Sequence, residues 1–145
     1  MVSGALSVAT MLDVEISAGM ETPEFYEDFQ AKADQVKNDL MAFLLKAKAL
    51  GRSVAAFGAA AKGNTLFNYA GVRSDLVPYV VDETPSKQGK FLPGSRIPVV
   101  ADFQTQPDYV LILPWNFKTE IMAKLAFIRS WGGKFVTAIP RLEIL

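Results

Sequence analysis

Cysteine and histidine are both absent from this 145-residue chain. Their absence removes disulfides, thiolate nucleophiles, Cys/His metal sites and the imidazole base most used for proton transfer near neutral pH. Net charge is missing as well, since Lys plus Arg number 15 and Asp plus Glu number 15. No global field draws the chain to nucleic acid or to an anionic membrane, and any anion site must be local. No apolar run reaches the ~18 residues of a membrane span. The opening MVSGALSVATMLDVEISAGM also lacks the basic region and unbroken apolar region of a secretory signal. The expected location is the cytoplasm, with neither nucleic acid nor membrane as partner.

What is present is a chain that is 50% hydrophobic, long enough for one domain with its own core. Residues 1–21 have no sustained period and are expected to be a linker or short helix. Thr22 and Pro23 provide a hydroxyl N-cap and a proline at the first helical position, with Glu24 beside the positive end of the dipole. Apolar residues then recur at steps of three or four: Phe25, Phe29, Ala33, Val36, Leu40, Phe43, Ala47 and Leu50. Gly51 is placed to end the run. The spacing predicts one long amphipathic helix over 22–51, longer than one sheet face needs. Either both of its ends pack on this domain, or part of its stripe braces a neighbouring domain or a second subunit, which makes a homo-oligomer one expectation.

From Arg52 the pattern changes. SVAAFG (53–58), LVPYVVD (76–82), RIPVV (96–100), PDYVLILP (107–114) and KFVTAIP (134–140) read as strands. GNTLFNYAG and NFKTEIMAKLAFIRSWGG read as helices between them. Continuous apolar strands alternating with helices imply a mainly parallel five-stranded sheet covered on both faces, a doubly wound three-layer α/β sandwich over 52–145. Right-handed crossovers and one reversal predict the strand order 3-2-1-4-5. Pro78 argues against a central place for the first half of the second strand.

Ligands of such sheets settle at the carboxyl ends of the strands, where the winding reverses. Three polar turns meet that edge: GAAAKGNT after the first strand, DETPSKQGKFLPGSR after the second and LPWNF after the fourth. In the first, Gly58 permits a sharp exit and Gly63 a close approach, while Asn64 or Thr65 is placed to cap the following helix. The free amides of that helix favour an anion beside Lys62. Neither standard phosphate fingerprint is met. Position 60 is alanine where the dinucleotide motif needs glycine, and Asn64 stands at the P-loop lysine position. A plain turn with a solvated lysine therefore stays open as a reading.

In the second turn, Asp82 lies 24 residues beyond Gly58, close to where an acidic residue meets a ribose hydroxyl; a strand-end aspartate is also an ordinary loop cap. Lys87, Lys90 and Arg96 surround Gly89 and a Pro93-Gly94 turn, as an anion site or as solvated surface. In the third turn, Trp115 can stack on a flat ring or plug the loop, and Asn116 can cap the next helix while facing the crevice.

Taken together, GAAAKGNTLFNYAG (58–71), VDETPSKQGKFLPGSRIPV (81–99), DYVLILPWNFKTEI (108–121) and WGGKFVTAIPRLEIL (131–145) resemble the C-terminal domain of the S-adenosylmethionine-dependent sugar C-methyltransferases. These enzymes methylate a ring carbon of nucleotide-linked deoxy-ketosugars. The resemblance runs from about Met20 to the end. It implies a Rossmann-like domain closing over a nucleotide-linked deoxy-ketosugar, partnered by an N-terminal zinc-binding segment and a middle domain that binds the methyl donor. S-adenosylmethionine and zinc would belong to those parts, none being bound by this domain, and no methyl transfer is expected from this chain alone. The substrate-facing positions it implies are Lys62, Asn64, Thr65, Asp82, Lys87, Lys90, Trp115 and Asn116, with Gly58, Gly63, Gly89, Pro93 and Gly94 shaping the loops. Ala60 departs from the proline usual in the family's first turn, leaving that loop less rigid. Two other readings stay open: a purely structural or oligomerisation domain without a ligand, and a free-standing nucleotide-binding module.

Overall fold

The structure, a computed structural model, describes residues 7–145. The beginning of the 1–21 segment therefore lies outside the described residues. The chain divides into two compact units, one ending at Asp34 and the other running from Gln35 to Leu145.

In the N-terminal unit, α1 spans Val8–Ser17, capped by the Ser7 hydroxyl, which accepts from the Thr10 amide. The single helix expected over 22–51 is broken. A 3-10 turn spans Pro23–Tyr26 and α2 begins only at Phe29, running to Ala49. Two causes are visible. The Thr22 hydroxyl donates to the Gly19 carbonyl instead of capping a helix. Glu24, Glu27 and Asp28 would also stack like charges at i, i+3 and i+4 in a continuous helix.

Within the larger unit, α2 buries Leu40, Phe43, Leu44 and Ala47 and carries Lys46 and Lys48 beside the negative end of its dipole. It ends where Gly51 turns left-handed at φ 67° and the Arg52 amide reaches the Ala47 carbonyl at 2.8 Å. The sheet comprises β1 (Val54–Phe57), β2 (Val80–Val81), β3 (Val99–Val100), β4 (Tyr109–Ile112), β5 (Lys134–Thr137) and β6 (Glu143–Ile144), in the order β3-β2-β1-β4-β5-β6. The first five pair in parallel and β6 joins β5 antiparallel. The α/β class and the order of five strands are as expected; the sixth strand is an addition.

Both faces of the central strands are buried, which is why they read as unbroken apolar runs. Val54, Ala56 and Leu111 join Leu40 and Leu44 of α2 and Leu66 and Phe67 of α3 (Ala61–Ala70) in one core cluster. Ala55, Phe57, Val110 and Ile112 join Ile121 of α4 (Lys118–Lys124), Leu125 and Ile128 in the other. Burial of a large apolar side chain contributes roughly 1.5–3 kcal/mol. An exposed pair such as Arg52 with Asp108, 2.9 Å apart, contributes at most about 1 kcal/mol. The apolar layers hold this fold.

Two elements are shorter than the patterns suggest. Pro78 cannot donate to a ladder, so pairing of the second strand starts only where the Tyr79 carbonyl accepts from the Ala56 amide. The helix expected over 116–133 is divided into a 3-10 turn at Trp115–Phe117, α4 and a second 3-10 stretch at Ala126–Trp131. That tighter winding sets Phe127 and Trp131 edge-to-face, with centroids 5.7 Å apart, while Ile128 stays buried. No helix among the described residues is long and apolar enough to cross a membrane.

Candidate functional site

Parallel strands deliver the loops after β1, β2 and β4 to one edge, and hydrogen bonds join all three there. The chain leaves β1 at Gly58, whose φ of 88° suits glycine. A Cβ at this position would lie 2.4 Å from Pro114 Cγ, so the first and third loops touch. The Ala60 amide then donates to the Gly58 carbonyl at 2.8 Å, turning the chain tightly and starting α3 at Ala61.

This early start corrects the expected cap. Ala60 is the N-cap residue and supplies no side-chain hydrogen bond, whereas Asn64 and Thr65 lie inside the helix. The Asn64 amide makes the first helical bond, to the Ala60 carbonyl; the Thr65 hydroxyl donates to the Ala61 carbonyl. The amides of Ala61, Lys62 and Gly63 precede any i−4 carbonyl of their own helix. Asn64 Oδ1 is buried and has no hydrogen-bond partner among the described residues. Gly63 faces the third loop from below, since a Cβ there would meet Leu113 Cβ at 2.5 Å.

Lys62 reaches from α3 to the third loop. Its ammonium donates to Asn116 Oδ1 and lies 5.0 Å from the centroid of the Trp115 ring, within range of a cation–π attraction. Asn116 sits in the 3-10 turn and accepts from Lys62, so it is not the cap of α4: that position is Phe117.

Asp82 joins the first and second loops. Its carboxylate accepts from the Ala59 amide at 2.7 Å and the Thr84 amide at 2.8 Å, and faces the Lys87 ammonium at 3.3 Å. Lys87 also donates to the Ala59 carbonyl at 3.0 Å. Burial by itself would raise the pKa of Asp82. Hydrogen bonds from Thr84, Ala59 and Lys87 together outweigh it and hold the group below the ordinary aspartate value. In this structure one carboxylate oxygen ties the second loop to the first, and the other braces the second loop on itself.

The remaining positions spread along the return of the second loop. The amide of Gly89 (φ 74°) donates to the Val99 carbonyl, and among the described residues no partner holds the Lys90 ammonium. Pro93 and Gly94 are tied to α3, because Asn68 Nδ2 donates to the Pro93 carbonyl at 3.0 Å. The sequence reading did not single out Asn68, although its place one turn after Asn64 on the same helical face was a signal. It also omitted Ala59, which acts through its backbone and carries no side-chain signature, and Gln88, whose amide donates to the Asp82 carbonyl.

Two surface cavities, of about 370 and 460 Å³, open toward the amino ends of the strands, beside Phe43 and Tyr109 and beside Phe127 and Trp131 respectively. Neither includes the three loops. The polar groups that converge lie at the opposite edge, where Lys62 and Trp115 are half-buried and Lys87 and Asn116 exposed. There the arrangement offers an ammonium, an indole face, a carboxamide and the head of a helix, a set suited to an anion attached to a flat or cyclic group.

Comparison with known proteins agrees with the resemblance noted from the motifs. Residues 3–140 match the family described as C-methyltransferase C-terminal domain. The chain is also 34% identical over 142 residues to C-methyltransferase NovU of Streptomyces niveus, an alignment covering 96% of this chain and 34% of that protein. The chain thus spans about a third of the length of this relative. It belongs to the C-methyltransferase C-terminal domain family.

Proposed function

We propose that this chain is the substrate-side domain of an S-adenosylmethionine-dependent sugar C-methyltransferase, a Rossmann-like unit that holds part of a nucleotide-linked deoxy-ketosugar at the three-loop edge. The observation carrying this reading is the placement of Lys62 between the Trp115 ring and the Asn116 carboxamide at the head of α3. An ammonium has three donors, so Lys62 can serve Asn116 and still meet a phosphate oxygen. The free amides of α3 lie beside it, and the indole can cover a sugar or a base.

The methyl donor is assigned to another part of the parent enzyme. In this chain the space above the Gly58 turn, where such a cofactor would approach the backbone, is filled by the Pro114 ring. Zinc is assigned elsewhere for a chemical reason: the chain has no cysteine or histidine, and among the described residues no group of three acidic side chains could replace them. What this chain contributes is binding and orientation, with the cytoplasm as the proposed setting.

Titration with a thymidine-diphosphate sugar, followed by amide chemical shifts, tests the reading. Shifts are expected at Ala61–Asn64, Thr84–Lys90 and Trp115–Asn116, with affinity reduced about tenfold or more in Lys62→Met, consistent with loss of a charge-assisted hydrogen bond. Shifts confined to residues away from these loops would refute it.

A further inference from the structure

Among the described residues of the N-terminal unit, none is buried. Yet α1 aligns Val8, Leu12 and Ile16 at i, i+4 and i+8 with Met11 beside them, exposed by 77, 51, 51 and 51% respectively. Phe25 and Phe29 continue the apolar surface, at 46 and 69% exposure. A ten-residue helix falls short of the ~12–15 residues at which isolated helices become even marginal in water. Its one side-chain cap, from Ser7, contributes about 1 kcal/mol, and no acidic first turn or basic last turn supports its dipole. An apolar stripe on such a helix needs a covering surface.

The charge of the segment narrows what covers it. Between Ser7 and Ala31 there are six acidic residues, Asp13, Glu15, Glu21, Glu24, Glu27 and Asp28, and no lysine or arginine. A neutral chain has thus placed a one-signed block around its unburied apolar face. A second copy meeting this face symmetrically would bring acidic block against acidic block. The complementary surface is an apolar groove rimmed with lysine and arginine.

Two further observations indicate where that groove lies. The segment falls within the family match at residues 3–140, so it is part of the family's C-terminal domain. The alignment accounts for 34% of the length of the Streptomyces niveus relative, and the matched family is by its description a C-terminal domain, a position that would set α1 next to a preceding portion.

We propose that residues 8–29 form the face on which the methyl-donor portion of a C-methyltransferase docks, through an apolar groove with a basic rim. This rests on the reading above that the chain is one part of a larger enzyme.

The test compares amide hydrogen exchange of residues 8–17 in this chain alone with that in a polypeptide joining the relative's preceding portion to it. Exchange is expected to be at least about tenfold slower in the joined protein, because docking suppresses local opening, and to quicken again as salt is raised. The double variant L12K/I16K should abolish the protection while leaving the thermal midpoint of the isolated chain unchanged. Equal exchange in the two proteins overturns the proposal. Protection already present in the isolated chain overturns it too, indicating burial within the chain if independent of concentration and a second copy if it grows with concentration. A second measurement does not require the joined protein to fold: the isolated chain should bind an apolar dye and L12K/I16K much less, and equal dye binding overturns the assignment. Titrating the joined protein with a thymidine-diphosphate sugar separates the two readings, since lost nucleotide binding with retained protection sinks only the functional one.

Discussion

Asp82 and Lys87, 3.3 Å apart in the second loop, grip the same residue of the first: Asp82 accepts a hydrogen bond from the Ala59 amide and Lys87 donates to its carbonyl. One peptide segment is thus held from both sides by an ion pair. Asp82→Ala leaves the Ala59 amide without its acceptor and is expected to cost about 1–3 kcal/mol. Urea unfolding at pH 7 measures it. Asp82→Asn, which keeps an acceptor, should lose less.

The same carboxylate makes the fold sensitive to acid. Its folded-state pKa is depressed, so its contribution is fully present above the unfolded value of about 3.9 and disappears as pH falls through the lower folded value. Asp108 acts in the same sense: the Ser53 amide bond, the largest influence, lowers its pKa, burial opposes this, and Arg52 adds to the lowering. Melting temperatures from pH 7 to pH 2 should fall steeply below about pH 4. The profile of Asp82→Asn should be shallower but not flat, because Asp108 remains. A variant profile parallel to wild type would remove Asp82 from this account.

Gly58→Ala faces two penalties. The backbone is in a region L-residues disfavour, and the added methyl meets the Pro114 ring at 2.4 Å. The expected loss is about 1–3 kcal/mol, read from chemical denaturation. Pairing it with Pro114→Ala should recover part of that loss, the steric share, and leave the conformational share.

Asn64 offers the opposite sign. Its Oδ1 is buried without a partner in the described structure, so Asn64→Leu is expected to be neutral or to stabilise by up to about 1 kcal/mol. If Asn64 meets the ligand, the same variant should weaken thymidine-diphosphate sugar binding. Calorimetric unfolding and binding titration on one preparation check both.

The architecture was legible because β1 and β4 are buried on both faces, so VAAF and YVLI appear as unbroken apolar runs that only a covered parallel sheet explains. β6 escaped notice because Glu143–Ile144 is too short to carry a period. The break between Tyr26 and Phe29 escaped because apolar spacing continues across it, while Glu24, Glu27 and Asp28, whose like charges oppose a helix there, lie outside the apolar stripe. At the site, the three loops were legible from their types, but the contacts that join them were not. Ala59 acts through backbone atoms, and the cap expected at Asn64 or Thr65 was displaced by the tight turn from Gly58 to Ala60, a matter of dihedral angles rather than of side chains.

With Gly63 pressed against Leu113, α3 has no room to slide over β4, and the separation between Lys62 and the Trp115 loop is set by covalent and van der Waals dimensions. A guest of the kind proposed for this edge would therefore have to match a preset gauge, and molecules differing by one linking group would be sorted by length before any of their chemistry is tested.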